Sequence, residues 1–171
     1  IRENILQYGK QTIDQTDKEA VLSVLEENNF LTTGPKVVEF EEECKKYCGA
    51  KYALAVSSCT AALHCAIASL ELKPTDEVIV SGISFVASAN CVVYCGASPV
   101  FCDIEENTMN IDPEKIETLI NNNTRAIICV DFAGQLCDYE KIKYICQKHN
   151  LYLIQDAAHS WGISYNDKFV G

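Results

Sequence analysis

The chain has 171 residues, 48% of them hydrophobic and 22% charged, with a net charge of −10. That balance fits one folded domain with a real core and excludes a disordered chain or a coiled coil. The acidic surplus argues against nucleic-acid binding through a general basic field, and no apolar stretch is long enough to span a bilayer.

The first residues, Ile1-Arg2-Glu3-Asn4, show no basic-then-apolar leader and no starting Met. A cytoplasmic protein whose true start lies upstream is therefore expected. Thr16-Asp17-Lys18-Glu19 reads as a capping box. It predicts a helix with Ala20, Val21, Val24 and Leu25 on one face. Asn28 to Gly34 reads as a loop. A second helix follows Gly34-Pro35, carries Val37, Phe40, Glu41, Cys44 and Tyr47, and closes at Gly49. Tyr52 to Val56 reads as a short strand, and Ser57 to Thr60 as a turn into a small-residue helix, Ala61 to Leu70.

After the turn Lys73-Pro74-Thr75-Asp76 the pattern is strand Glu77 to Val80, helix Phe85 to Tyr94 closed by Gly96, and strand Pro99 to Asp103. Asp112-Pro113-Glu114 opens the next helix, with Pro113 at its favoured first position. Then come strand Arg125 to Val130, helix Tyr139 to His149, and strand Leu151 to Gln155, which ends at Asp156. Gly162 to Val170 reads as a strand pair around Asn166-Asp167. Short apolar strands separated by helices predict an α/β fold with a mostly parallel sheet flanked by helices. Residues 1–50 form an N-terminal helical segment in this reading, and 51–171 the sheet-bearing part.

Ten cysteines are scattered through the chain. Paired CxxC knuckles do not occur, so no metal site is expected. Residues such as Cys65, Cys102 and Cys129 read as buried small hydrophobes in a reducing compartment.

Three features sit where strands end and helices begin, the place where open α/β sheets bind ligands. Ser57-Ser58-Cys59-Thr60-Ala61 opens a helix, whose N-terminal N–H groups and dipole suit a phosphate; an ordinary Ser/Thr cap is the plainer reading. Ser84-Phe85 opens another helix, and Phe85 suits either a stacked planar ring or the core. Asp156 is a carboxylate at the end of a buried strand, costly unless paired. A protonated pyridine nitrogen is one partner for it; a helix cap, a structural ion pair or a metal shared with His159 are others. A dinucleotide-binding turn would need glycines, and Ser57 to Thr60 has none.

In order along the chain stand Tyr8-Gly9-Lys10-Gln11, Leu31-Thr32-Thr33-Gly34-Pro35, Ser58-Cys59-Thr60-Ala61-Ala62-Leu63, Ser84-Phe85-Val86-Ala87-Ser88-Ala89-Asn90, Pro99-Val100-Phe101, Val130-Asp131-Phe132-Ala133-Gly134 and Asp156-Ala157-Ala158-His159. In this the sequence resembles the DegT/DnrJ/EryC1/StrS family of sugar aminotransferases, which depend on pyridoxal 5'-phosphate (PLP) and have the fold-type I architecture. The wording of Leu31 to Pro35, Ser84 to Asn90 and Asp131 to Gly134 looks most like the branch that aminates a UDP-linked 4-keto sugar on the way to pseudaminic acid.

The resemblance implies that residues 51–171 are part of the PLP-binding large domain. It implies Ser58, Cys59, Thr60 and Ala61 at the phosphate, Phe85 on the ring face, Asp156 at the ring nitrogen and His159 near the phenolic oxygen. Tyr8, Asn29, Phe30, Leu31 and Thr32 would touch the nucleotide-sugar. Glutamate would supply the amino group, and the enzyme would be a homodimer. Many relatives have Gly or Ala where Cys59 stands. The family's Schiff-base lysine lies in a Ser-Phe-(x)n-Lys stretch that does not occur in this sequence, and Lys168 is expected to be a hairpin lysine instead. By the resemblance the chain is a fragment without the small C-terminal domain. Two other readings are a PLP-dependent sugar dehydratase of the same family, and a non-catalytic binding or dimerisation module.

Overall fold

The computed structural model describes residues 11–26, 31–165 and 168–170. Tyr8, Asn29 and Phe30 lie outside them.

Two helices lead, α1 (Gln15–Glu26) and α2 (Pro35–Cys48). The capping box at the head of α1 is displaced by two residues from the expected one. Asp14 accepts from the backbone N–H groups of Thr16 and Asp17, and Asp17 reaches back to accept from the Asp14 N–H. An Asp at the cap makes the same reciprocal pair two residues earlier, so Thr16 falls inside the helix. Of the apolar face expected on α1, Ala20, Val21 and Leu25 are exposed and Val24 is half-buried. Gly49 ends α2 in the left-handed region (φ 72°), donating its N–H to the Lys45 carbonyl.

Residues 52–56 correct the sequence reading. They form no strand and pair with none among the described residues. The Ala55 N–H donates instead to Glu41 of α2, at 2.8 Å. Apolar character alone does not make a strand; a ladder partner does. The segment leads straight into α3 (Cys59–Ala68), capped by Ser58, whose hydroxyl accepts from the Ala61 N–H at 3.2 Å.

The sheet then builds from β1 (Glu77–Ser81), α4 (Ala87–Tyr94), β2 (Ser98–Cys102), α5 (Pro113–Leu119), β3 (Thr124–Val130), α6 (Tyr139–His149) and β4 (Tyr152–Asp156). The order is β2-β1-β3-β4, and every pairing is parallel. Period-2 alternation gives each central strand two buried faces. Val78, Val80, Ala126 and Ile128 pack on Leu63 and Ile67 of α3 and on Ala87, Cys91 and Val92 of α4. Ile79, Ile127 and Cys129 pack on Ile116 of α5 and on Ile142 and Ile145 of α6. A short antiparallel hairpin, β5 (Ser164–Tyr165) and β6 (Lys168–Phe169), closes the described part. Phe169 stacks on Tyr47 of α2 at 4.4 Å, tying hairpin to helix.

The cysteines divide. Cys91, Cys102, Cys129, Cys137 and Cys146 are buried, as small hydrophobes should be. Cys65, expected inside, is exposed; Cys59, at the head of α3, is exposed as a residue but turns its thiol to Asp156. Among the described residues no helix is long and apolar enough to cross a membrane.

Candidate active site at the strand ends

From β1 the chain runs through α4 to β2 on one side, then returns past β1 to form β3 on the other. A parallel sheet opens a crevice at the carboxyl ends of its strands where the order reverses in this way. A cavity of about 400 Å3 lies there. It is framed by Ser84 and Phe85 after β1, Val130 and Phe132 at the end of β3, Asp156 at the end of β4, and Cys59 and Thr60 at the head of α3.

Of the residues expected around a cofactor, Cys59, Thr60, Phe85, Asp156 and His159 line this cavity together. Ser58 and Ala61 stand beside it but are occupied with each other, since Ser58 caps the Ala61 N–H. Cys59 and Thr60 occupy the first turn of α3, where helix geometry leaves the N–H groups without intrahelical acceptors. Leu31 and Thr32 are exposed on the approach to α2 and do not line the cavity. The hairpin expected around Lys168 is present.

Asp156 is only 5% exposed. Its Oδ1 accepts from the Ala158 N–H at 3.2 Å and from the Cys59 thiol at 3.4 Å. Its Oδ2 accepts from the Ser88 hydroxyl at 3.4 Å. These are neutral donors; no cation pairs with the carboxylate among the described residues. The sequence reading missed Ser88. It lies inside a small-residue helix motif, and only the packing of α4 brings it to Asp156.

Phe85 is 67% exposed, its ring at the cavity wall rather than in the core. His159 follows the strand end on a turn, and its Nδ1 accepts from the Ala133 N–H at 3.3 Å. Its other ring nitrogen, Nε2, is left as the proton-bearing one. The set therefore offers a helix N-terminus for a phosphate, an aromatic face for a planar ring, a buried carboxylate for a cationic ring nitrogen and an imidazole donor. That chemistry fits PLP, in a cavity of ordinary small-molecule size.

Burial, with the Asp156 charge second, pushes the Cys59 thiol up to about 11. It stays a protonated donor to Asp156 at neutral pH and is a poor nucleophile. Alkylation of Cys59 should therefore follow a pH profile with its midpoint near 11 rather than 9.0. At pH 8 it should run about 100-fold slower than an unshifted thiol of equal access. A midpoint near 9, by peptide mapping after iodoacetamide, would show that the thiol is not held against the carboxylate.

The DegT/DnrJ/EryC1/StrS aminotransferase family model matches residues 11–171. The chain is 42% identical over 170 residues to the spore coat polysaccharide biosynthesis protein SpsC of Bacillus subtilis, covering 99% of this chain and 43% of that protein. Among solved structures it is similar to Helicobacter pylori PseC, an aminotransferase involved in the biosynthesis of pseudoaminic acid. That match has a TM-score of 0.91 and 38% identity over 96% of this chain and 44% of PseC. It is also similar to the E. coli GDP-4-keto-6-deoxy-D-mannose-3-dehydratase with bound hydrated PLP, with a TM-score of 0.88 and 32% identity over 95% of this chain and 43% of that one. The chain spans less than half the length of each of these proteins.

Proposed function

The chain belongs to the DegT/DnrJ/EryC1/StrS aminotransferase family, and from that premise we propose that it is the cofactor-cradling part of a PLP-dependent nucleotide-sugar aminotransferase. The parent protein would move the amino group of glutamate to the 4-keto carbon of a nucleotide-linked 6-deoxy sugar. Glutamate leaves as 2-oxoglutarate and the ketone becomes an amine. One observation carries the reading: Cys59, Thr60, Phe85, Asp156 and His159 come from separate elements and converge on one cavity at the strand ends.

PLP would supply the electron sink and the carrier of the amino group. The residues of this chain would bind and orient it. The N–H groups of Cys59 and Thr60 at the head of α3 would hold the phosphate, with Ser58 and Ala61 fixing the first turn. Phe85 would stack on the ring. Asp156 would keep the ring nitrogen protonated. His159 would donate from Nε2 to the phenolic oxygen. Tyr8, Asn29, Phe30, Leu31 and Thr32 are assigned to the nucleotide-sugar side. The wording of Leu31 to Pro35, Ser84 to Asn90 and Asp131 to Gly134, with the likeness to PseC, supports a UDP-linked N-acetylated 4-keto sugar as acceptor; a cytoplasmic homodimer is part of the same reading. The lysine for covalent attachment and proton transfer is assigned to the parent protein, outside this sequence.

The test is turnover by the complete reading frame, offered glutamate with UDP-, GDP- and dTDP-linked 4-keto sugars. Amination of the UDP-N-acetyl sugar is expected. Turnover of a dTDP or GDP sugar alone would overturn the acceptor assignment. The likeness to the E. coli dehydratase keeps a second reading in view, loss of a sugar hydroxyl as water. A histidine in place of the attachment lysine, with a deoxygenated rather than aminated product, would decide for it.

A further inference from the structure

A second strand-end carboxylate, Asp131, lies behind the cavity and does not line it. It is fully buried, with 0% exposure, and meets no cation among the described residues. Its oxygens accept four hydrogen bonds. Oδ1 takes the Tyr139 hydroxyl at 2.7 Å and the Cys137 N–H at 3.0 Å, while Oδ2 takes the Ser160 hydroxyl at 2.6 Å and the Gln155 amide at 2.8 Å. Four acceptances fill a carboxylate's capacity. Burying a charge costs heavily unless it is satisfied in this way. The donors come from the start of α6, from β4 and from the turn that carries His159, so one side chain binds three elements.

What they enclose is strained. Ala133, between Asp131 and that hub's far side, has φ 52° and ψ 25°, the left-handed region that costs a non-glycine residue. Its neighbour Gly134 has φ 85°, and a Cβ there would meet the His159 carbonyl oxygen at 3.2 Å. Buried Asn110 braces the same turn, accepting from the Phe132 N–H at 3.0 Å and donating to the Gln135 carbonyl at 2.8 Å. The product of this conformation is one N–H, that of Ala133, aimed at His159 Nδ1. On the other side of the histidine, Ser160 is tied to Asp131 itself.

We propose that Asp131 is a positioning residue for His159. Its buried carboxylate fixes Ser160, next to the histidine, and Cys137, at the far end of the loop, while its backbone carbonyl accepts the Gly134 N–H that closes the Ala133 turn, so that His159 is held in one orientation with Nδ1 accepting and Nε2 bearing the proton. Asp131 touches no ligand; it acts through His159. What Nε2 donates to rests on the functional reading above, while the clamp does not.

The experiment separates the two. In the cofactor-free protein labelled uniformly with 15N, the His159 ring resonances are assigned by their loss in His159→Gln. Wild type should show Nδ1 as a pure acceptor, with a through-hydrogen-bond coupling to the Ala133 amide. Asp131→Asn should abolish that coupling and give an averaged ring. If Asp131→Asn does not fold, Ser160→Ala, which removes one bond of the four, should weaken the coupling and broaden the ring signals. An Nδ1–H tautomer in wild type, or an unchanged signature in the folded variant, overturns the proposal.

Cofactor affinity in the complete reading frame gives the second arm. Asp131→Asn should lose roughly tenfold, the scale set by an outer partner of a site residue, and lose nothing further in a His159→Ala background. An equal loss in that background means a merely structural role and overturns the proposal. Absence of PLP binding in wild type with the histidine signature intact sinks the functional reading and leaves the clamp standing.

Discussion

Asp156→Asn in the complete protein is expected to keep PLP bound and to lose at least about 100-fold in turnover, the scale on which removing one preorganised charge acts. The structure makes this a clean substitution. Oδ1 accepts from Cys59 and Ala158, and an amide carbonyl accepts equally well there. Oδ2 faces the Ser88 hydroxyl, which can rotate and accept from an amide nitrogen instead. The cavity wall therefore keeps its shape, and little stability is lost. What disappears is the negative charge that holds a proton at the ring nitrogen, and with it the ring's capacity to withdraw electrons. The half-reaction with glutamate, followed in a single turnover beside the variant's PLP content and unfolding midpoint, separates these effects. Near-wild-type turnover removes Asp156 from this role; loss of PLP content would mean that the carboxylate serves binding instead.

Why Asp156 was legible in the sequence, and other parts of the site were not, follows from how local each signal is. A charged residue closing an apolar run is conspicuous, because burial demands a partner. Strands β1 and β3 are legible for a different reason: Val78-Ile79-Val80 and Ala126-Ile127-Ile128 are continuous apolar runs, as strands buried on both faces require. The segment 52–56 has a similar apolar signal, yet a strand also needs a ladder partner, and that is a property of the fold. The Asp14/Asp17 box prevailed over Thr16/Glu19 because two overlapping cap patterns compete, and pattern alone does not rank them. Asp131 stood in view only as part of a motif. Its role depends on Tyr139, Gln155 and Ser160 arriving from distant positions. The residues of the cavity, read singly, left ordinary caps and core aromatics open. It is their convergence on one crevice, together with the family match, that favours a cofactor.

Ile127→Ala is the substitution expected to cost most in stability, about 3–5 kcal/mol, toward the upper part of the range for large-to-small changes in a core. Ile127 is fully buried and sits opposite Ile79 of β1 and Leu153 of β4, beneath α5 and α6. The cost of such a change depends on whether the surroundings can close over the void. Here they cannot readily do so. β3 is held by backbone ladders on both sides, so its spacing from β1 and β4 is fixed. The helices above rest on several other side chains, Ile116, Ile142 and Ile145 among them, which keep them at their present height. Against a total stability of about 5–15 kcal/mol for an ordinary domain, the loss is a large fraction. Urea titration should show a lower midpoint with an unchanged slope, since the exposed surface on unfolding hardly differs. Ile127→Val, which removes one methylene, should cost about 0.5–1.5 kcal/mol. A loss under 1 kcal/mol for the alanine variant would mean that α5 and α6 settle onto the sheet, and that this face of the core is softer than its packing implies. Because Ile127 faces away from α3 and α4, cofactor affinity below the unfolding transition should not change. The same truncation at Ile128, one residue on and beneath α3, should lower both stability and cofactor affinity, since α3 carries Cys59 and Thr60.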